Sequence, residues 1–160
     1  QGIPLNERKR LGALLDDRPQ TEVMAMIPQF SQAETDNFVA PPAQIPEALG
    51  VLMFNMERGV NLPEIQEFLR DCPDIQPFDV ILANELDDGC ARSGNKNTAR
   101  ELAQAFGLNY AWGLEFIELV NDENAKGFHG NAVFSRWPIR RAGVIPVAMG
   151  QNQAVQPGMP

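Results

Sequence analysis

One histidine, His129, and two cysteines, Cys72 and Cys90, occur in 160 residues. Two cysteines so far apart make neither a disulfide framework nor a zinc site. A single disulfide and two free thiols both fit them, and the cellular compartment stays open. No apolar run approaches the length needed to cross a bilayer. Positive charge is also scarce: 13 Lys and Arg stand against 21 Asp and Glu, for a net charge of −8. Such a chain has no general attraction to phosphate backbones or anionic membranes. Phosphate chemistry is not excluded, because a bound divalent cation reverses the local field. The Gly-x-Gly-x-x-Gly, Walker-type and Gly-x-Ser-x-Gly patterns are missing, which removes the usual signatures of nucleotide cradles and of α/β-hydrolases. A charged and apolar leader is also missing. Gln1 stands where an initiator Met would, so the expectation is that upstream sequence was removed or never included.

Hydrophobic residues supply 44% of the chain, enough for a packed core and within the globular range. The length fits one domain or a piece of a larger one. Three zones differ in texture. Residues 1–46 are polar, with a short helix expected near Glu7–Asp17 from the spacing of Leu11, Leu14 and Leu15. Val23, Met24, Met26 and Ile27 suggest a second short apolar element. Pro41, Pro42 and Pro46 read as a linker. Residues 47–148 alternate strands and helices. Residues 149–160 are rich in Gln, Pro and Gly and read as a disordered tail or a cut end.

Within the middle zone, Val51–Phe54 is a short apolar run and reads as a buried strand entering Asn55. Asn61 and Pro63 mark a helix start, and Leu62, Ile65, Phe68 and Leu69 share one face of that helix. Asp79–Ala83 is a second strand, running into Asn84 and Glu85. A polar loop follows from Asp87 to Asn97. Thr98 and Glu101 have the spacing of a capping box, Ala99, Leu102, Ala103 and Phe106 form an apolar stripe, and Gly107 ends the helix. Asn109–Val120 and Asn131–Phe134 read as strands, with Val144–Val147 as a further candidate. This order predicts an α/β layered fold with a mixed sheet.

The chemistry-bearing candidates cluster at strand ends. Asn55 and Glu85 each follow an apolar strand, and ligands of α/β sheets gather at the carboxyl ends of strands. A helix between the two strands permits them to be parallel neighbours, which puts both residues on one rim. A carboxylate there suits a hard cation such as Mg²⁺ or Mn²⁺. The amide of Asn55 could orient a phosphate oxygen or support that ligand. The simpler reading is a turn-forming Asn and a solvated Glu. His129, beside Gly127 and Gly130, reads more simply as a partly exposed loop histidine than as a phosphate contact. Asn131, next in sequence, could face the same cleft. One of Glu115 and Glu118 could face it as well, the other lying on a solvated surface. Asp87 and Asp88 read as turn-forming acids, and Arg92 as a solvated loop arginine with a phosphate contact as the sharper alternative.

Three segments carry a resemblance. Val51-Leu52-Met53-Phe54-Asn55-Met56-Glu57 resembles the first strand of the endonuclease/exonuclease/phosphatase family, the DNase I-like metal-dependent phosphoesterases. Phe78-Asp79-Val80-Ile81-Leu82-Ala83-Asn84-Glu85 is similar to that family's strand ending in a metal-binding Glu. Gly130-Asn131-Ala132-Val133-Phe134-Ser135-Arg136-Trp137-Pro138-Ile139 is similar to its later glycine-asparagine to serine-arginine-proline strand. The resemblance covers about residues 49–148 and the three motifs fall in order. It implies an α/β sandwich, a divalent metal held by Glu85 with Asn55 in the active site, and hydrolysis of a phosphate ester, whether nucleic acid, phospholipid headgroup or small phosphate.

The chain departs from the family after Ile139. The Asp-x-Asn pair and the late Asp-His expected there are missing; Asp122-Glu123-Asn124 precedes the serine-arginine-proline strand and reads as a coincidental loop. The resemblance therefore implies the N-terminal half of such a domain, truncated after that half and inactive by itself, with its C-terminal half as a missing partner. The alternative is a non-catalytic binding or interaction module built on a remnant of the same fold.

Overall fold

A computed structural model describes residues 2–145. Four α-helices and five strands occur among them: α1 Leu5–Leu14, α2 Gln20–Ala25, β1 Ala33–Asp36, β2 Val51–Arg58, α3 Leu62–Asp71, β3 Val80–Asp88, α4 Thr98–Phe106, β4 Asn109–Ile117 and β5 Phe128–Ser135. The strands form one open mixed sheet in the order β1-β4-β5-β3-β2. β2 and β3 are parallel, joined through α3, and every other pairing is antiparallel. The expected α/β architecture with a mixed sheet is thus present.

The helices form where apolar stripes recur. Leu69 on α3 and Ala99, Leu102 and Ala103 on α4 are buried in one cluster with Ile81, Ala83, Tyr110 and Phe134 of the sheet. Two rings, Phe78 and Phe106, meet beside them with centroids 6.1 Å apart. Burying a large apolar side chain contributes roughly 1.5–3 kcal/mol, so this layer supplies most of the cohesion. Asp79 ties the sheet's lower rim. Its Oδ2 accepts from Gly50 N–H at 2.9 Å and its Oδ1 from Arg136 Nη1 at 2.8 Å, linking the starts of β2 and β3 to the end of β5.

Strand alternation sends a second apolar row to the opposite face. Met53, Leu82, Val133 and Ala111 are successive register partners across β2, β3, β5 and β4. Met53 is 73% exposed and Val133 41%. At the β4 end this face is flanked by α2 and residues 139–145, which enclose a groove of about 1140 Å³.

Several boundaries differ from the sequence expectation. The first helix is Leu5–Leu14, with residues 15–17 outside it. β1 was not legible: Ala-Glu-Thr-Asp has no apolar signature. It holds its place through backbone pairing with β4 and through Glu34, which accepts from Tyr110 Oη and Asn97 Nδ2. The cap of α4 is Asn97, whose side chain accepts from Arg100 N–H at 2.8 Å; Thr98 instead donates to Asp87 O at 2.8 Å. β4 stops at Ile117, and β5 begins at Phe128. Val144 and Ile145 form no strand, while the rest of that expected element and the tail at 149–160 lie outside the described residues.

Candidate functional site

Three of the five strands, β2, β3 and β4, carry bulges at one height. Between Asn55 and Arg58, β2 carries two residues opposite one of β3; between Ala83 and Leu86, β3 carries two opposite one of β5; between Leu114 and Phe116, β4 carries Glu115 opposite none. Bulges re-aim side chains, and these three bring a polar row onto the open face of the sheet.

The row runs Asn55, Glu85, Asn131, Glu115 across β2, β3, β5 and β4. Asn55 Nδ2 donates to Glu85 Oε1 at 2.9 Å. Asn131 Nδ2 donates to Glu115 Oε2 at 3.0 Å. Each amide is oriented by a backbone donor: Asn55 Oδ1 accepts from Glu57 N–H at 2.8 Å, and Asn131 Oδ1 from Glu85 N–H at 3.2 Å. With both oxygens so engaged, both NH₂ groups must face carboxylates. Three of the four expected site residues, Asn55, Glu85 and Asn131, are therefore brought together. Asn55 donates to the Glu85 carboxylate here, the supporting place beside a ligand. Glu115 completes the row; its signal in the sequence was only its place on a strand.

Backbone strain marks the same place. Glu85 has φ 58, and Glu57, Arg58 and Gly59 have φ 47, 67 and 69 in succession. The left-handed region is costly for residues with a Cβ, roughly 1–2 kcal/mol each. Gly59 is required for a second reason: a Cβ there would lie 2.7 Å from the Thr98 side chain.

His129 stands apart from the row and corrects the sequence reading. It is 2% exposed and lies within β5, not in a loop. It has a partner the sequence did not reveal: Nδ1 is 2.8 Å from Asp87 Oδ1, its register neighbour on β3. The ring also stacks on Phe116 at 4.2 Å. Asp87, with no exposed surface, is no turn residue either. It receives Arg92 through Nε and Nη2, both at 2.8 Å, and Ser93 Oγ at 3.1 Å. Arg92 is thus committed to Asp87 and to Glu118, which also accepts from Asn124 Nδ2 at 2.6 Å. Asn124 in turn binds Ala91 N–H through Oδ1 at 2.7 Å and Arg8 Nη2 through its carbonyl at 2.6 Å. Burial raises the Asp87 carboxyl pKa, but the hydrogen bonds from His129 and Arg92 outweigh it and hold the group below its ordinary value. For Asp88 burial prevails over Lys126 and pushes the carboxyl up. This network pins α1, the β3–α4 connection and the β4–β5 loop together behind the row.

Hard cations are held by carboxylate oxygens, and Mg²⁺ commonly takes one or two of these and keeps several waters. Glu85, presented on the open face and steadied by Asn55, fits as one such donor. Among the described residues, no three His, Cys, Asp or Glu side chains are grouped closely enough to hold a metal by themselves. No described helix is long and apolar enough to cross a membrane. No protein-family model, no curated protein and no solved structure matches the chain.

Proposed function

We propose that the chain is the N-terminal part of a DNase I-like, divalent-metal-dependent hydrolase of phosphate esters, with Mg²⁺ or Mn²⁺ held at Glu85. The observation that carries this is the Asn55–Glu85 hydrogen bond in the carboxyl-terminal halves of two parallel strands, inside a row of aligned bulges. When bound, the cation supplies charge for a phosphoryl oxygen and for the developing charge of the transition state. Asn55 fixes the Glu85 carboxylate and Asn131 fixes the Glu85 backbone, so the donor needs little reorganisation. His129 acts behind the row through Asp87, as a positioning group. Among the described residues no imidazole is exposed, His129 being committed to Asp87. In this reading a second layer covers the exposed apolar row of Met53, Leu82 and Val133.

The test is turnover of a chromogenic phosphodiester, with Mg²⁺ and with chelator. It compares the chain as given with one continued through whatever its gene encodes after Pro160. The expected result is Mg²⁺-dependent turnover by the continued chain, abolished by Glu85→Ala, and little from the chain alone. The exposed apolar row supports a second reading, a non-catalytic binding module. Turnover by neither chain would favour it.

A further inference from the structure

The two edges of the sheet differ. β1, on one side, has four residues and carries Glu34 and Asp36. A short strand with charged side chains is a poor template for another chain. β2, on the other side, has eight residues, and its first five, Val51 to Asn55, contain neither a charge nor a proline. Val51 is 56% exposed and Met53 73%. A long, uncharged, apolar edge is a site for strand pairing.

Gly50 shows which backbone groups of that edge are open. Its N–H donates to Asp79 Oδ2 at 2.9 Å and its C=O accepts from Val80 N–H at 3.1 Å, so both point toward β3. Backbone direction alternates from residue to residue along a strand. Leu52 and Phe54 therefore also turn toward β3, while Val51, Met53 and Asn55 turn outward. The register with β3 runs unbroken from Val51 to Asn55 and slips only after it, so the alternation holds over this stretch. Each outward residue offers an N–H and a C=O, and none of these groups has a hydrogen-bond partner among the described residues.

We infer that β2 pairs with β2 of a second copy of this chain, antiparallel about a two-fold axis at Met53, so that the two sheets become one. The outward set is symmetric about Met53. The axis therefore sets Met53 against Met53 and Val51 against Asn55 of the other copy, and this register closes every open N–H and C=O of the stretch. The side chains agree with it. On the open face Met53 meets Met53, and the apolar rows of the two copies run into one another. On the α3 face Leu52 meets Phe54, both half-buried and packed on the core, Phe54 against Phe68 of α3. Apolar pairs directly opposite each other stabilise such a ladder. Charge selects the same place: each copy carries −8, and an uncharged stretch is where two acidic copies meet with least repulsion. The inference does not depend on a metal at Glu85.

Sedimentation velocity of the full chain over a concentration series measures the association, and mild oxidation of cysteine variants reads its register. Met53→Pro removes an outward N–H and fills the edge with a ring, a change that edge strands tolerate. It should leave the circular dichroism spectrum unchanged and the chain monomeric. Residues that exchange hydrogen bonds across an antiparallel pair lie about 5.5 Å apart between Cα atoms, within disulfide reach. Met53→Cys should therefore crosslink into a dimer. Val51→Cys should not, because the two copies of that position lie about 14 Å apart in this register. Wild type, with Cys72 and Cys90 as free thiols, gives the background. A wild type that stays monomeric overturns the inference. Association that a folded Met53→Pro leaves intact also overturns it, because the contact would then rest on the open face alone. Equal crosslinking of the two cysteine variants denies the register, and decides the matter if Met53→Pro fails to fold. A chain continued past Pro160 that is monomeric, with Met53→Cys uncrosslinked in it, would give the edge to its own polypeptide and overturn the inference as well.

Discussion

Asn55 and Glu85 lie on two parallel strands, each three residues before its strand's end, and are joined by one hydrogen bond, Nδ2 to Oε1 at 2.9 Å, while the amide oxygen of Asn55 is held by Glu57 N–H. The carboxylate is therefore aimed by a group that is itself aimed by the backbone. Removing the amide frees both ends. Asn55→Ala should lower divalent-metal affinity about 10- to 100-fold, the usual cost of losing a group that orients a ligand. Titration of Mn²⁺ into the variant checks this; affinity equal to wild type would show that Glu85 needs no support.

Glu85 occupies a left-handed backbone position, φ 58. Glycine there relieves strain of roughly 1–2 kcal/mol, partly offset by its greater freedom in the unfolded chain. Glu85→Gly should therefore raise stability by about 0.5–1 kcal/mol while abolishing metal binding, and Glu85→Ala should not raise it. Urea unfolding of both variants decides, and a destabilised Glu85→Gly would mean that the carboxylate serves the fold.

Asp87 should show itself in acid. Its carboxyl pKa is depressed in the folded state, so the stability it contributes is present above its unfolded pKa, about 3.9, and is lost as pH falls through the lower folded value. Asp88, whose pKa is raised, acts with opposite sign: it costs stability while ionised, and that cost is relieved on protonation. Asp87→Asn separates the two. It should cost roughly 3 kcal/mol near neutral pH, because Arg92 and His129 lose a buried partner, and the gap to wild type should narrow as pH falls below about 4. A gap independent of pH would contradict this.

The apolar row on the open face should drive association of the chain. Met53 at 73% and Val51 at 56% exposure lie on edge strand β2, and Val133 lies beside them across β3. Unpaired edges and uncovered apolar faces invite pairing. Sedimentation velocity should find self-association, reduced by Met53→Lys with Val133→Lys. A monomer that binds no apolar dye would count against an uncovered face.

The sequence showed α3, α4 and the strands β2 to β5, because their apolar residues recur with the period of the element. α4 followed its stripe from Ala99 to Phe106, and β2 and β3 followed their runs. It failed where polar contacts set the structure. β1 has no apolar pattern and is held by β4 and Glu34. The α4 cap moved to Asn97 because Thr98 found a backbone acceptor in Asp87 O. Asp87 looked like a turn acid because its partners, Arg92 and His129, are distant in sequence or hidden by the bulge at Glu85. That bulge carries β3 on to Asp88, past the expected strand end. For the row, Asn55 and Glu85 were visible as strand-end polar residues. Glu115 was not, because alternation alone cannot locate the bulge that turns it toward Asn131.

The central claim is that Glu85 holds a divalent cation. The most direct measurement is Mn²⁺ binding to the full chain by water-proton relaxation, comparing wild type with Glu85→Gln. The prediction is one site, competed by Mg²⁺ and lost in the variant with the fold intact by circular dichroism. Equal binding by both proteins, or none by wild type, would contradict it.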